Sequence, residues 1–463
     1  MSGFKVTAEG AAGAARAGLL WGGQQTPACL VLTRNGAVPC ITPAQLHEIL
    51  AAVDEPGCDA GTAARPPRRQ LAHICALDLW GKPGWEVMEA HAAKPGAPGL
   101  GSFCGLTPHC WTFFSADRVG RWAYGGREVS AEHVTCSTSR GFLKITPAEF
   151  TRAARASRPE AMDLLSDPLP ASDLRTERVK KSVDRTLAWA DLQLKQMAQP
   201  KPIASPVDTD ESAERAAKRA AVVTADAPTD VETHCAPRIF GCVQGGGILK
   251  ERVRCAAALS ALPQLSGFVL GGFGTGESPS DRDRLIRATI AALAPDKPRL
   301  ISGVGSPEEI LRCVDAGVDL FSTDYPFALA MNGCAMTFDI DPGTGSSTHS
   351  KTSMEDDRSG VGAGLTVARS AAAMNLHDAR FAEDGSKLTP GSCVEDSRAY
   401  IHHLLLTHEL LGFILLAMHN LHHYLSFFAM VRQQIHGGNF GGYTETMLPY
   451  LQLGYHVSNA IFP

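Results

Sequence analysis

Four short segments in residues 238–324 carry side chains that could bind or attack a substrate. In chain order they are Gln-Gly-Gly at 244–246, Gly-Gly at 271–272, Gly-Val-Gly at 303–305 and Ser-Thr-Asp at 322–324. The Gln244 amide could hydrogen-bond a purine-like ring edge, and the glycines could let a ligand approach the backbone, although tight turns need the same glycines. The Asp324 carboxylate is a candidate nucleophile, whereas the Ser322 hydroxyl has no base close to it in the sequence.

The elements that must position these residues are strands alternating with helices. The runs RIFGCVQ, GFVLGG, PRLISGV and DLFST read as four strands, and amphipathic stretches such as residues 306–316 lie between them. This alternation indicates βα units in a parallel sheet, so the predicted fold class is α/β. If the sheet closes into an eight-unit barrel, functional residues are expected at the C-terminal strand ends, where the four segments lie.

Several motifs resemble those of one enzyme family in their sequence and in their order along the chain. The motifs are VQGG (243–246), GGFGTGE (271–277), LISGVGSPEE (300–309), GVDLF (317–321), SRAYIHHLLLTHELLG (397–412) and MHNLHHY (418–424), with KKSVDRTL (180–187) before them. They resemble the tRNA-guanine transglycosylases, also called queuine tRNA-ribosyltransferases. The resemblance implies a TIM-type (β/α)8 barrel with an N-terminal β-rich portion and a C-terminal helical subdomain derived from the family's zinc-binding region. It implies no organic cofactor.

Two departures from the catalytic members bear on function. The position of the family's nucleophilic aspartate, which attacks C1′ of the ribose, is occupied by Ser322. A DSGGF-type motif carries the family's second carboxylate, and residues 101–117 lack both its acid and its glycine pair. The chain therefore resembles the non-catalytic subunit of a heterodimer. Such a complex is expected to exchange guanine for queuine at wobble position 34 of tRNAs with GUN anticodons.

Two other functions stay open at this point. The chain could be a self-sufficient transglycosylase that uses Asp324, which would share a face with Ser322 if the strand continued. It could instead be a non-catalytic module that binds queuine or a related base. The candidate remnant of a base pocket comprises Asp167, Gln244, Gly245, Gly271 and Gly272. Asp167 also fits a surface aspartate ahead of a proline turn.

The resemblance implies a zinc site that is incomplete in this chain. The family has three closely spaced cysteines and a later histidine, which suit tetrahedral Zn²⁺. Here Cys393 and His419 match, whereas Leu388 and Pro390 occupy the other two cysteine positions. A recruited site could use His422, His423, Glu395 or Asp396, and the same histidines would also suit a helix interface.

A basic run at residues 175–185 is a candidate tRNA contact. Its cations are Arg175, Arg178, Lys180, Lys181 and Arg185. A few such residues on RNA phosphates give sequence-independent affinity, although a run of this kind is also typical of a solvated helix face. Residues 65–69 (RPPRR) form a second cluster. The net charge of −5 does not indicate a stand-alone nucleic-acid binder, so we expect a catalytic partner subunit as well as tRNA.

Composition predicts an intracellular protein with a large core. The 463 residues are 44% hydrophobic, and the thirteen cysteines contain no C-x-x-C pair, which favours a reducing compartment. The N-terminus lacks an apolar signal region, and the apolar run LLGFILLAM (410–418) is too short to span a bilayer. We expect a cytoplasmic location without a membrane span, and the resemblance also allows association with the mitochondrial outer membrane.

The predicted organisation has five parts. They are an N-terminal β-rich part leading into the barrel (1–150), a barrel core (151–336) with a flexible insert near 200–232, a second flexible insert (337–380), a helical zinc-type subdomain (381–436) and a C-terminal tail (437–463). The inserts are assigned from their polar, Gly-rich or Pro-rich composition, which cannot bury enough apolar surface to offset the entropy of ordering.

Overall fold

The computed structural model describes residues 3–10, 14–53, 70–81, 83–94, 97, 99–106, 110–119, 130–138, 141–199, 236–342 and 373–452. The predicted insert near 200–232, most of the insert at 337–380, the basic cluster at 65–69 and the end of the tail lie outside the described residues.

The described strands and helices alternate through most of the chain. The strands are β1 (Lys5–Glu9), β2 (Arg16–Leu19), β3 (Gln25–Thr26), β4 (Ala28–Leu32), β5 (Gln70–Cys75), β6 (Cys110–Ser115), β7 (Val134–Thr138), β8 (Gly141–Ile145), β9 (Ala161–Asp163), β10 (Arg238–Val243), β11 (Gly267–Leu270), β12 (Arg299–Ser302), β13 (Leu320–Ser322), β14 (Cys334–Met336) and β15 (Ala373–Asn375). The α-helices are α1 (Pro43–Ala52), α2 (Ala76–Gly81), α3 (Trp85–Ala92), α4 (Leu100–Phe103), α5 (Pro147–Ser157), α6 (Thr176–Ala198), α7 (Leu249–Ser260), α8 (Pro279–Ala291), α9 (Pro307–Asp315), α10 (Tyr325–Met331), α11 (Arg398–Leu406), α12 (Leu410–His436) and α13 (Phe440–Gln452).

Eight parallel strands close into a barrel in the order β10, β11, β12, β13, β4, β5, β6 and β9. This confirms the predicted (β/α)8 barrel, and the four strands predicted between residues 238 and 324 are all part of it. The helix predicted within 306–316 is α9, which starts at the Ser306 N-cap with a reciprocal capping box to Glu309.

The barrel core begins earlier than residue 151, because β4, β5 and β6 all precede that boundary. Nearly every residue of these three strands is buried. The first 150 residues therefore hold three of the eight barrel strands and are not only a β-rich part that leads into the barrel. Residues Gly141–Ile145 form β8, which pairs with β7 in a hairpin outside the barrel.

The actual N-terminal β-rich portion is the antiparallel sheet β1-β2-β3, which packs near the start of the barrel strands. The Trp21 ring meets the Phe240 ring edge to face at 6.0 Å, and the Arg238 guanidinium lies 4.5 Å from the Trp21 ring centre. Arg16 forms a buried ion pair with Asp319, the residue before β13, at 2.7 Å. The sheet is thereby attached to both β10 and β13.

The long helix α12 packs across the barrel through a buried aromatic surface. Phe428 lies 5.5 Å from Phe321 of β13 between ring centres, and the Tyr424 hydroxyl donates a 2.6 Å hydrogen bond to the Gly305 carbonyl. By length and composition α12 could cross a bilayer, but core helices of soluble proteins meet the same criterion, and 67% of its most apolar window is buried. The described part of the tail, α13, packs against α9 and α12.

Candidate functional site

A cavity of about 760 Å³ opens at the C-terminal ends of the barrel strands. Its polar lining includes Asp117, Asp163, Gln244, Ser302, Glu277 and Asp324. The predicted pocket residues Gln244, Gly271 and Gly272 meet here, as strand-end positions of a barrel should. Gly245 lies instead against Arg252, and Asp167 does not line the cavity.

Ser322 ends β13 and is fully buried, without lining the cavity. Its hydroxyl lies 2.6 Å from Nδ1 of His73, and Nε2 of His73 lies 3.1 Å from the Asp117 carbonyl. A carbonyl oxygen can only accept, so Nε2 carries the ring proton and Nδ1 accepts from Ser322. Burial is the main reason that the pKa of His73 is lowered, which keeps the imidazole neutral.

Ser322 has no base close to it in the sequence, and the base that it contacts in the structure, His73, comes from a distant strand. The two residues are 249 positions apart in the chain and meet because β5 and β13 belong to one barrel. His73 lies inside the run LAHIC, and a single histidine in an apolar strand carries no sequence signal for its partner. The pair is a hydrogen-bonded base and hydroxyl, but its burial outside the cavity lining keeps the hydroxyl from a substrate held there.

Asp324 lines the cavity and forms an ion pair with Arg34, at 3.4 Å between Oδ2 and Nη2. It does not share a strand face with Ser322, because β13 ends at Ser322 and the backbone of Asp324 has turned to φ −99° and ψ 5° before α10. The two candidate nucleophiles therefore have different surroundings: Ser322 is buried away from the cavity, and Asp324 faces it.

Asp163 and Asp117 are cavity carboxyl groups that the sequence analysis did not identify. Asp163 ends β9, is 4% exposed and accepts a 2.6 Å hydrogen bond from the Ser115 hydroxyl. Burial raises its pKa to about 8, and the nearby Asp117 charge adds to this increase. At neutral pH Asp163 is therefore mainly a neutral acid. Its sequence signal, one aspartate after the short apolar run AM, is too weak to distinguish a site residue from a turn.

Gln244 is buried, with 2% of its surface exposed. Its side-chain amide forms hydrogen bonds with the loop after β9. Its Nε2 donates to Ser166 Oγ at 3.1 Å, and its Oε1 accepts from the Leu169 amide at 3.4 Å. A Cβ atom added to Gly271 would lie 2.3 Å from Gln244 Nε2, so glycine is needed there because the two strand ends approach closely.

Asp167 is fully buried and pairs with two arginines of α6, so it is not the surface aspartate that the turn interpretation predicted. Its oxygens accept from both terminal nitrogens of Arg178, at 2.7 and 2.8 Å, and from Arg185 at 2.5 Å. A bidentate contact of this kind is a strong charge-assisted hydrogen bond. It holds the loop after β9 against α6.

The candidate tRNA contacts differ in availability. Arg178 and Arg185 are committed to Asp167, and Arg175 pairs with Asp173 at 2.6 Å. Lys180 and Lys181 are exposed and form no ion pair with the described residues. The ammonium groups of these two lysines can therefore bind an anion from another molecule.

The residues at the family's zinc position do not fit a tetrahedral zinc site. Leu388 is buried in the apolar core and Pro390 has no donor atom, so only the Cys393 thiol and the His419 imidazole remain of the four ligands. Two of the recruited alternatives are engaged elsewhere: Glu395 pairs with Lys387, and Nε2 of His422 points to the Ala52 carbonyl at 3.5 Å. His423 does lie beside His419, with 5.8 Å between the ring centres, and its Nε2 has no hydrogen-bond partner among the described residues. Across the described residues there is no group of three or more His, Cys, Asp or Glu side chains arranged for a metal ion.

The fold and the site define a class of protein: a closed (β/α)8 barrel whose strand ends surround a cavity lined by polar and apolar side chains, with a helical C-terminal region packed on the barrel. A family model described as "Queuine tRNA-ribosyltransferase" matches residues 74–451. The chain belongs to this family.

The curated relatives resemble the chain over most of its length. A protein of Xenopus tropicalis is 31% identical over 437 residues, covering 91% of this chain and 92% of the relative. One of Danio rerio is 34% identical, covering 69% and 74%, and one of Homo sapiens is 29% identical, covering 88% and 89%. All three are named "Queuine tRNA-ribosyltransferase accessory subunit 2".

Proposed function

We propose that this chain is the non-catalytic subunit of a heterodimeric tRNA-guanine transglycosylase. The complex exchanges guanine for queuine at wobble position 34 of tRNAs with GUN anticodons. The names of the relatives support this proposal, because an accessory subunit requires a catalytic one. We propose that the complex is located in the cytoplasm, either free or associated with the mitochondrial outer membrane.

The observation that carries the proposal is the state of Ser322. A transglycosylase nucleophile must form a glycosyl ester at C1′ of the ribose and then leave, which a carboxylate does and a neutral hydroxyl does poorly. Ser322 is buried, and its hydroxyl proton is already donated to His73. In the proposed complex the catalytic subunit therefore supplies the nucleophilic carboxylate.

This chain contributes the subunit interface and part of the tRNA contact. Lys180 and Lys181 lie on the exposed face of α6, which follows the loop lining the cavity. Two ammonium groups without a carboxylate partner among the described residues can neutralise RNA phosphates without base specificity. The anticodon chemistry then takes place at the partner's barrel, and one functional site per dimer is sufficient.

The test is guanine exchange into a GUN-anticodon tRNA by this chain alone, by a catalytic homologue alone and by the two mixed. Activity in the mixture, with no turnover by this chain, is the expected result. Turnover by this chain alone would contradict it and direct attention to Asp324, which lines the cavity. Asp324→Ala would then abolish the activity, with Asp296→Ala as a matched control because Asp296 is exposed and does not line the cavity.

The open cavity favours one second candidate function, the binding of queuine or a related base without chemistry. Its volume of about 760 Å³ is within the range typical of small-molecule sites. Saturable binding of queuine by the isolated chain in calorimetry would support this function. Binding should weaken in Gln244→Ala and persist in Gln433→Ala, since Gln433 is exposed and does not line the cavity. Absence of binding at millimolar ligand would rule it out.

A further inference from the structure

The loop between residues 384 and 398 is closed by several protein contacts near the family's zinc position. A bridge pairs Lys387 with Ser397. The Arg398 guanidinium donates to the Leu388 carbonyl at 3.1 Å and forms an ion pair with Asp384 at 3.1 Å. The Leu388 side chain is fully buried in the core next to α11 and α12. The two ends of the loop are thus held together by contacts within the loop, independently of α12.

His419 provides that link through both nitrogens of its ring. Nε2 lies 2.8 Å from the Met336 carbonyl, and Nδ1 lies 2.8 Å from the Ser392 hydroxyl. Because the carbonyl can only accept, Nε2 carries the proton, and the Nδ1 lone pair accepts the hydrogen of Ser392. The Ser392 oxygen in turn accepts from the Val394 amide at 3.1 Å.

This arrangement is that of a metal-bound histidine with the metal position taken by a hydroxyl. A ligating histidine usually donates its second N–H to a carbonyl or carboxylate, which orients the ring. His419 retains that contact with Met336, and Ser392 stands where the lone pair would meet a metal. Cys393 is also engaged elsewhere, because its thiol lies 3.6 Å from the Met418 carbonyl.

We propose that a hydrogen-bonded chain from Ser392 through His419 to Met336 replaces the family's zinc in this protein, so that the C-terminal region folds and functions without a metal ion. The chain joins the two parts that a metal would join, the loop before α11 and helix α12, and it extends to strand β14 through the Met336 carbonyl. This inference goes beyond the proposed function. Its tests measure metal content and thermal stability and do not depend on exchange activity.

The first test measures zinc in the full-length protein, purified without a metal-chelating tag, together with its thermal unfolding. We expect well under one zinc atom per chain and a Tm that does not change when a strong chelator is added. About one zinc per chain, with a fall in Tm when the chelator removes it, would overturn the proposal, because binding to the folded state would then stabilise it. Zinc that a chelator strips without any change in Tm would be adventitious and would agree with the proposal.

The second test removes the hydroxyl that takes the metal's place. Ser392→Ala leaves Nδ1 of His419 without its donor and should lower the Tm by a few degrees. Thr389→Val is the matched control, since it removes a hydroxyl from the same loop at a position without a side-chain hydrogen bond to the described residues, and its Tm should stay within about one degree. Equal shifts in the two variants would contradict the role of Ser392. If Ser392→Ala fails to fold, the metal analysis of the unmodified chain still decides.

Discussion

At the scale of single residues, the barrel mouth contains buried polar groups, several of which are hydrogen-bonded to one another. The Ser322 hydroxyl and His73 form one pair, and Asp163 with Ser115 forms another. Buried polar groups cost little when they are hydrogen-bonded and much when they lose a partner. Substitution of one partner should therefore lower the free energy of unfolding. If the group is structural, exchange activity per folded molecule should stay the same.

The first prediction concerns Ser322→Ala, which leaves the Nδ1 lone pair of buried His73 without a donor. The free energy of unfolding should fall by about 1–3 kcal/mol, measured by urea denaturation. Ser172→Ala, at an exposed position, should change it by less than about 0.5 kcal/mol. Exchange by the mixed subunits, corrected for folded protein, should be unchanged. A variant of normal stability that abolishes exchange would show instead that Ser322 is catalytic.

The second prediction follows from the pKa of Asp163, about 8 in the folded chain against the ordinary value of 3.8. Between these values the folded chain holds a proton that the unfolded chain has lost. The contribution of Asp163 to stability is therefore fully present below about pH 4 and is lost as the pH rises to about 8. Asp163→Asn removes this dependence.

The Asp163→Asn variant should consequently gain stability over the unmodified chain as the pH rises, by up to a few kcal/mol between about pH 5 and about pH 8.5. Urea denaturation at both pH values and constant ionic strength measures the gain. Asp296→Asn, at an exposed position, should show no such change. An effect of Asp163→Asn that is the same at both pH values would contradict the neutral state of this acid.

At the scale of secondary structure, the C-terminal helices are part of the barrel's core. Helix α12 meets β13 through its aromatic residues, and α13 buries Phe440, Tyr443, Met447 and Leu451. The apolar character of these helices thus reflects packing within the chain. The described half of the predicted tail serves the fold, because its buried face lies on α9 and α12.

The third prediction tests this role of α13. Met447 is fully buried in the core cluster shared with the barrel, so Met447→Ala should lower the free energy of unfolding by about 2–5 kcal/mol. Glu445→Ala, on the exposed face of the same helix, should have an effect within about 0.5 kcal/mol. Chemical denaturation measures both. Equal and small effects would mean that α13 is not a stable part of the fold.

At the scale of the whole molecule, charge is unevenly distributed. The net charge is −5, and most arginines of the basic run are neutralised by carboxylates of the same chain. This charge distribution does not favour a general attraction to RNA. In the proposed complex, contact with tRNA depends on Lys180 and Lys181, which form no ion pair with the described residues. In the proposed complex, the catalytic subunit provides the rest of the tRNA surface.

The fourth prediction is that Lys180→Ala with Lys181→Ala weakens tRNA binding by the mixed subunits several-fold at about 0.1 M salt. The slope of log K against log salt should decrease by up to about two, because as many as two phosphate contacts are lost. Lys195→Ala is the control on the same helix, where the lysine pairs with Asp191 at 2.5 Å. Binding measured over a salt series tests this, and an unchanged slope would place the tRNA elsewhere.

The sequence predicted the second half of the barrel better than the first. Strands β10 to β13 and helix α9 follow from apolar runs, turn glycines and the capping pattern SPEE, all of which are local signals. Strands β5 and β6 were not identified, although each has six residues and is almost wholly buried, because apolar character alone does not distinguish a buried strand from a buried helix segment. The cavity residues Gln244, Gly271 and Gly272 were identified from their strand-end positions, whereas Asp117 and Asp163 were not.

The sequence by itself determined the family and the alternation of strands and helices, because both are properties of residue order along the chain. The assignment of Ser322 to the family's nucleophile position also comes from the sequence and stays a prediction. Tertiary structure decided which distant residues meet. It placed His73 against Ser322, enclosed Asp167 between Arg178 and Arg185, and set the Ser392 hydroxyl on His419. Such contacts depend on barrel closure and on the packing of α6 and α12, which bring together side chains that no local pattern relates.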